Sequence, residues 1–171
     1  TDRLNKLTQG LLDLNTIDKS GALLTYSTFD ILHSIKKVLA TFEKRCNDKG
    51  ITFDLTFPAS TFYVYADVEK IQQVLYNLID NAIKYTPQGG VYVHLTPERR
   101  DYGVNLCIEV ADTGIGMNAS EIEQVFDRFY QADSGRARVT SGLGLGLSIV
   151  NGFVRSLNGF LTIESEPGKG S

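Results

Sequence analysis

Apolar residues recur every three or four positions in several stretches of the chain, which is the spacing of one face of an amphipathic helix. The pattern predicts helices over residues 4–17, 30–50, 67–85 and 143–157, and a short one that begins at 118 or 120 and ends near 126. Asp30 and Asp67 stand where N-caps are expected, and Gly50 stands where a helix commonly ends. End signals of this kind support the two central helices.

Alternating apolar and polar residues predict strands between these helices. The stretches are 23–29, 51–55, 62–65, 91–95, 104–110 and 160–164, and the fourth and fifth form a hairpin around 99–103. Helices mixed with mostly antiparallel strands indicate an α+β two-layer sandwich, in which one mixed sheet carries helices on one face. Residues 131–141 contain few apolar side chains and predict a mobile loop.

Composition narrows the class of protein. With 171 residues, of which 42% are hydrophobic and 22% charged, the chain has the make-up of one globular domain. A net charge of −3 argues against a nucleic-acid partner. No apolar run reaches the roughly 18 residues that a membrane span needs, and the first residues do not form a signal-peptide pattern. Cys46 and Cys107 lack metal or redox spacing and predict two reduced thiols in a cytosolic setting.

The helix predicted over 67–85 has a polar line beside its apolar face. Asn77, Asn81 and Lys84 lie at i, i+4 and i+7, about 130° around the helix from the apolar positions Val68, Ile71, Leu75, Leu78 and Ala82. Amide oxygens are hard ligands that suit Mg²⁺, and a lysine ammonium suits a phosphate. An ordinary solvated helix face is the alternative interpretation of these three residues.

Two glycine-rich segments are candidates for ligand binding. Residues 112–117, Asp-Thr-Gly-Ile-Gly-Met, follow a predicted strand directly, so the carboxylate of Asp112 could accept a hydrogen bond from an exocyclic amine such as adenine N6. Residues 142–148, Gly-Leu-Gly-Leu-Gly-Leu-Ser, open a predicted helix, where free backbone N–H groups bind anions. A tight turn and a closely packed helix entry are the respective alternatives.

These segments resemble the sequence boxes of sensor histidine kinases. Residues 77–85 resemble the N box, 112–116 the G1 box, 125–130 the F box and 142–150 the G2 box, and 168–171 match the tail motif before a final strand. Four boxes in the family order are more specific than any one alone. The resemblance implies a Bergerat-type ATP-binding sandwich of the superfamily that includes gyrase, Hsp90 and MutL, with ATP and Mg²⁺ as cofactors.

The resemblance also implies roles for individual residues. Asn81 would hold Mg²⁺ with support from Asn77, Lys84 would contact phosphate, and Asp112 would bind adenine N6. Arg128, Arg136 and Arg138 are candidates to reach the γ-phosphate, with Arg128 counted among the catalytic residues beside Asn77, Asn81 and Lys84. The lid over ATP would be 131–141. The remaining residues implied in the ATP site are Tyr85, Gly114, Ile115, Gly116, Met117, Phe129, Gly142, Leu143, Gly144, Leu145 and Gly146.

The position of Asn77 distinguishes two branches of the superfamily. ATP-hydrolysing relatives usually carry glutamate there to activate water, and an asparagine cannot act as a general base. The sequence therefore favours phosphoryl transfer to a separate acceptor. A hydrolytic ATPase and a non-catalytic nucleotide-sensing module are the alternatives.

The sequence departs from the family pattern in three places. The phosphoacceptor motif, a histidine followed by an acidic residue, does not occur, because His33 precedes Ser34 and His94 precedes Leu95. The expected final strand after Ser171 is missing, and Leu143 stands where many relatives have a small or hydroxyl residue.

The resemblance implies a division of the chain and a set of partners. Residues 1–21 would be the end of a dimerisation helix, and 22–171 the catalytic ATP-binding domain. The implied partners are the protein's own dimerisation and phosphotransfer domain, a response-regulator receiver domain and a second copy in a full-length homodimer. The implied location is cytoplasmic, in a parent protein that can be anchored in the inner membrane.

Overall fold

A computed structural model describes Thr8, Leu12 and residues 24–57, 60–101, 103–131 and 144–171. Thr8 and Leu12 are helical, and the rest of the predicted helix over 4–17 lies outside the described residues. The described elements are β1 (Ser27–Asp30), α1 (Ile31–Lys49), β2 (Thr52–Thr56), β3 (Tyr63–Ala66), α2 (Val68–Tyr85), β4 (Gly90–Arg100), β5 (Gly103–Asp112), α3 (Ala119–Gln124) and α4 (Gly146–Ser156).

The predicted helix ends are confirmed for α1 and α2. The side chain of Asp30 accepts a hydrogen bond from the N–H of Leu32, and that of Asp67 accepts one from Lys70. Gly50 ends α1 with a φ of +68°, a conformation that glycine adopts without steric cost. Asn118 caps α3, and Glu121 completes its capping box. Polar side chains therefore set where these helices begin, and the conformation of a glycine sets where α1 ends.

The strands form two sheets in the described chain, where the sequence predicted one. β1 pairs with β3 antiparallel, and the second sheet has the order β2-β4-β5. In that sheet β2 runs parallel to β4, and β4 and β5 form the predicted antiparallel hairpin, with Val91 opposite Asp112. This register places Asp112 beside the start of β4, where the chain has just left α2.

Residues 160–164 were predicted as a strand and are not assigned to one. Leu161 and Ile163 are half-buried and alternate with exposed neighbours, so the apolar alternation that suggested a strand is present. A strand also needs a hydrogen-bonded neighbour, and none of the described strand pairings includes residues 160–164; the bridge between Glu166 and Gly170 lies after them. The prediction was wrong because alternation reports burial and not pairing.

The main core lies between α1, α2 and the inner face of the β2-β4-β5 sheet. Its buried members include Ile35 and Phe42 from α1, Leu75 and Ile79 from α2, and Val93 from β4. The predicted α+β sandwich with helices on one face of the sheet is confirmed. This core holds α2 along the sheet and leaves the helix's other sides open to further contacts.

A second core fixes α4 against α2. Val74 of α2 packs in one cluster with Leu145, Ile149, Val150 and Phe153. The helix α2 therefore buries two sides, where the sequence predicted a single apolar face. Packing of α4 on the second side brings the glycine-rich start of α4 to the polar line of α2.

Candidate functional site

Asn77 and Asn81 lie together at the start of α4. A Cβ built on Gly146 would stand 3.6 Å from Oδ1 of Asn77 and 3.5 Å from Nδ2 of Asn81. Nδ2 of Asn77 donates to the backbone oxygen of Gln73 at 2.9 Å, which leaves the carboxamide oxygen as the group turned toward Gly146. The predicted grouping of the two amides is thus present, and the absence of a side chain at Gly146 keeps the space between helices open.

The start of α4 supplies backbone N–H groups to the same place. The helix begins at Gly146, later than the predicted 143, because Gly144 has a φ of +67° that a right-handed helix excludes. No side chain of the described residues caps its first turn. Unpaired N–H groups at the positive end of a helix attract anions, so amide oxygens and backbone donors converge here.

The turn after α3 packs against Gly144. The N–H of Phe129 donates to the oxygen of Gly144 at 2.9 Å, and a Cβ on Gly144 would lie 2.6 Å from the carbonyl carbon of Phe129. Phe129 has a φ of +64°, which is rare for a bulky residue. The backbones of these two segments are therefore in close contact, and the Phe129 side chain is exposed.

Asp112 lies beside the C-terminal end of α2. Its Oδ1 accepts a hydrogen bond from the N–H of Gly114 at 2.8 Å and lies 3.5 Å from Oγ1 of Thr86, which is fully buried. Burial raises the pKa of the Asp112 carboxyl, and the hydrogen bonds from Gly114, Thr86 and Ser171 oppose that rise. A carboxylate with one face bonded to the protein and held in a desolvated setting is a strong acceptor for a ligand N–H.

Backbone contacts tie the Asp112 segment to the end of α2. The N–H of Ile115 donates to the oxygen of Tyr85 at 3.1 Å. A Cβ on Gly114 would overlap that same oxygen and would stand 2.7 Å from Oδ1 of Asp112. Only glycine fits at this position, because any side chain would enter the space between Tyr85 and the carboxylate.

The structure spaces these groups along one helix. Asn81 and Tyr85 are separated by one turn of α2, about 6 Å along its axis. Lys84 contacts Tyr85: its Nζ lies 3.0 Å from the Tyr85 hydroxyl and 4.7 Å from the centre of that ring. The amide pair thus lies on the last turns of α2, and the Asp112 carboxylate lies beside Thr86, the residue that follows the helix.

The other predicted residues divide into three groups. Leu145 is buried in the second core, so only its backbone can face a ligand. Gly116, Ile115 and Met117 lie in the segment after Asp112, and Arg128 lies exposed in the turn after α3. Outside the described residues lie Gly142, Leu143, Arg136, Arg138 and, apart from Gln131, the lid segment.

Three residues near Asp112 were not singled out from the sequence. Thr86 contacts the carboxylate, Ser171 exchanges two backbone hydrogen bonds with Asp112, and Ser165 accepts one from the N–H of Met117. The tail motif over 168–171 signalled that this part of the chain matters. Its contact with the Asp112 segment could not be predicted from the sequence, because more than 50 residues separate the two.

The donor set at the amide pair fits Mg²⁺. The described residues contain no cluster of three or more histidine, cysteine or acidic side chains that could hold a metal. Mg²⁺ commonly takes few protein ligands and completes its octahedron with water and phosphate oxygens. Two carboxamides beside a helix N-terminus agree with this preference. They provide too few ligands for a metal that is held by protein groups alone, without phosphate.

Other expectations concern the cysteines, the histidines and membrane spans. Cys46 is buried and Cys107 exposed, and neither forms a disulfide. His33 is exposed on α1, and His94 is half-buried on β4, between the inward-facing residues Val93 and Leu95. Within the part of the chain that the structure describes, no helix combines the length and apolar character of a membrane span.

Comparison with known proteins identifies the family. The sequence model described as histidine kinase-, DNA gyrase B-, and HSP90-like ATPase matches residues 66–171. The sensor histidine kinase WalK of Bacillus subtilis is 34% identical over 100% of this chain and 28% of its own length. The autoinducer 2 sensor kinase/phosphatase LuxQ of Vibrio vulnificus is 33% identical over 94% of the chain and 19% of its own.

Solved structures agree with the sequence comparison. Full-length ShkA in complex with AMPPNP superposes with a TM-score of 0.84 and 29% identity, over 99% of this chain and 34% of that one. The Acinetobacter baumannii histidine kinase AdeS superposes with a TM-score of 0.76 and 27% identity, over 99% of this chain and 75% of that one. The chain belongs to the family of histidine kinase-, gyrase B- and HSP90-like ATPases and has their ATP-binding fold. It spans less than a third of the length of the curated relatives named here.

Proposed function

We propose that this chain is the ATP-binding catalytic domain of a sensor histidine kinase. It transfers the γ-phosphoryl group of Mg·ATP to a histidine on a dimerisation domain, from which a response-regulator aspartate receives it. The observation that carries this proposal is the placement of two amides of α2 at the α4 N-terminus and of a half-buried carboxylate beside Thr86, the residue that follows α2.

Asp112 and its neighbours bind the base. The carboxylate accepts a hydrogen bond from adenine N6, and guanine offers a carbonyl oxygen at the equivalent position, which a carboxylate repels. Thr86 and the N–H of Gly114 occupy the inner side of the carboxylate and keep it oriented. Tyr85 lies at the boundary between the base and the phosphates, beside Lys84.

Asn77, Asn81 and the first turn of α4 bind the phosphate end. Asn81 holds Mg²⁺ with Asn77 in support, and the N–H groups at the start of α4 face the phosphate oxygens. Mg²⁺ supplies neutralisation of phosphate charge. Phosphoryl transfer depends mainly on positioning and electrostatic stabilisation, so a site without a nucleophile or general base of its own is sufficient. Residues 131–141 are proposed as the lid over ATP, and Arg128, Arg136 and Arg138 are the candidates to reach the γ-phosphate.

The chain is expected to bind ATP but not to phosphorylate itself. Neither histidine is followed by an acidic residue, His33 is exposed on α1 and His94 is half-buried on β4, apart from the amide pair on α2. Incubation with γ-labelled ATP should leave the chain unlabelled, and addition of a separate dimerisation domain with its histidine should label that domain. The His33→Ala/His94→Ala double variant is the control. Label on the unsubstituted chain that disappears in the double variant would contradict the proposal.

Hydrolysis by the chain alone is expected to stay close to the uncatalysed background. Asn77 occupies the position of the catalytic glutamate of hydrolytic relatives, and loss of a general base typically costs about 10²- to 10⁴-fold in rate. Steady-state release of inorganic phosphate measures this directly. Release at about 1 s⁻¹ or faster that is lost in Asn77→Ala would instead favour the hydrolytic alternative. Tight ATP binding without transfer to any dimerisation domain would favour a nucleotide sensor.

The partners and placement of the parent protein follow from the same proposal. Residues 1–21 would be the end of the dimerisation helix that carries the acceptor domain, and 22–171 the catalytic domain. A receiver domain of a response regulator and a second copy of the parent are the proposed partners. A cytoplasmic catalytic domain in a membrane-anchored parent is the proposed arrangement.

A further inference from the structure

The last residues of the chain pack directly on the Asp112 segment. We call residues 165–171 the tail turn and residues 112–117 the Asp112 loop. The N–H of Gly168 donates to the oxygen of Ile115 at 2.7 Å, and the N–H of Asp112 donates to the oxygen of Ser171 at 2.8 Å. The loop that carries the proposed adenine ligand therefore has the tail turn as its support.

Ser165 connects the two segments through a hydroxyl whose hydrogen-bonding capacity is fully used. Its Oγ accepts from the N–H of Met117 at 2.8 Å, donates to the oxygen of Gly170 at 2.8 Å, and lies 2.9 Å from Oγ of Ser171. A serine hydroxyl has one proton and two lone pairs, so Ser171 must be the donor in the last of these. The arrangement gives every polar atom of this group a defined direction.

Close backbone packing leaves the Asp112 loop little freedom to shift on the tail turn. Gly116 has a φ of +63°, and a Cβ there would overlap the oxygen of Glu166. Gly170 has a φ of +104°, and a Cβ there would overlap the oxygen of Asp112. Because backbone meets backbone at both points, a displacement at Met117 is passed along the loop toward Asp112.

We propose that Ser165 is a positioning residue for base recognition, which holds the far end of the Asp112 loop so that the Asp112 carboxylate keeps its direction toward adenine. This inference rests on the proposed assignment of Asp112 to the base. Ser165 itself touches Met117, Gly170 and Ser171, and acts through them. Without its hydroxyl, the N–H of Met117 and the oxygen of Gly170 each lose a partner, and the loop loosens at the end opposite Gly114.

The test compares affinities for ATP and GTP in the 171-residue chain by titration calorimetry. Ser165→Ala should weaken ATP binding roughly five- to tenfold, the value of about one hydrogen bond, and should lower the ratio of ATP to GTP affinity. Ser165→Thr keeps the hydroxyl and should restore both to within about twofold of the original values. Ser156→Ala is the matched control, because it removes a hydroxyl that bonds only to the helix oxygen of Gly152.

The ratio of ATP to GTP affinity distinguishes a positioning role of Ser165 from a loss of stability. A variant that merely unfolds more readily loses ATP and GTP binding by the same factor, so an unchanged ratio in Ser165→Ala would overturn the proposal. In the unsubstituted chain, amide hydrogen exchange of Met117 should be slow, and fast exchange there would overturn it even if Ser165→Ala does not fold. If the unsubstituted chain discriminates ATP from GTP and Asp112→Asn abolishes that discrimination, the base assignment stands whatever Ser165 does. If the unsubstituted chain does not bind ATP, both proposals fail.

Discussion

Replacement of Asn81 by alanine is expected to abolish the Mg²⁺-dependent part of ATP affinity and to leave the chain folded. Asn81 lies half-buried on α2, and its carboxamide faces the start of α4 across the open space at Gly146. Even outer-shell partners of a protein-bound metal typically contribute about 10- to 100-fold to its affinity, so loss of a direct ligand should cost roughly 100-fold or more. Alanine is the best helix former, so α2 itself should be no less stable.

The experiment measures ATP affinity with Mg²⁺ and with EDTA for both forms. In the original chain Mg²⁺ should strengthen binding, and in Asn81→Ala the two values should converge. Asn47→Ala is the control, because Asn47 is an exposed asparagine near the end of α1 whose backbone oxygen, and not its side chain, bonds to Gly50. If the Asn81→Ala variant retained the full effect of Mg²⁺ on ATP affinity, Asn81 would be excluded as a ligand of the metal.

Replacement of Asp112 by asparagine is expected to move ligand affinity and stability in opposite directions. Affinity for ATP should fall about 10- to 100-fold, because a hydrogen bond to a charged group contributes about 1.5–3 kcal/mol. Stability at neutral pH should rise, because burial penalises the charged carboxylate and an asparagine keeps an oxygen for the N–H of Gly114. A function that requires a desolvated charge thus opposes the stability of the fold.

The pH dependence follows from the direction of the pKa shift. The pKa of Asp112 in the folded chain lies above the ordinary 3.8, so the folded state binds this proton more tightly than the unfolded state does. The contribution of Asp112 to stability is therefore largest below pH 3.8 and is lost as pH rises through the folded pKa. The advantage of Asp112→Asn should appear above that window and shrink in acid, and ATP affinity of the original chain should fall as the carboxyl is protonated.

Thermal unfolding across pH and calorimetric titration with ATP check both halves of this prediction. A gain of about 1 kcal/mol would raise Tm by roughly 2–4 °C in a chain of this size. Asp101→Asn, in the exposed turn between β4 and β5, is the matched control and should change neither quantity. A lower Tm for Asp112→Asn at neutral pH would show that the hydrogen bonds of the Asp112 carboxylate outweigh the cost of burying its charge. Unchanged ATP affinity would show that Asp112 does not contact the nucleotide.

Elements whose ends carry their own signals were predictable. The helix ends at Asp30, Asp67 and Gly50 depend on hydrogen bonds and backbone angles within a few residues, so they could be predicted from the sequence. The β4–β5 hairpin was predictable for the same reason, since a short connection joins the strands. The start of α4 was placed three residues early, because Gly144 takes a positive φ in contact with Phe129, which lies far from it in sequence.

The sequence predicted the chemistry of the site where the residues concerned lie on one helix or strand, so that their spacing along the chain gives their relative positions. Asn77 and Asn81 share a face because a helix returns every 3.6 residues, and the structure places both amides beside Gly146. Lys84 was placed on the same line, but its side chain contacts Tyr85. Side-chain direction depends on neighbours that the helical period does not specify.

By itself the sequence determined the order of the elements from β1 to α4, the amide pair on α2, the glycine segments and the carboxylate at the end of β5. Only the tertiary structure decided that α4 packs on α2, that β2 pairs with β4, and that the tail turn supports the Asp112 loop. The physical reason is the range of the interactions. Caps, turns and helical periodicity depend on residues a few positions apart. Packing and close backbone contact join segments that are far apart along the chain, and no local sequence pattern indicates which of these segments will be in contact.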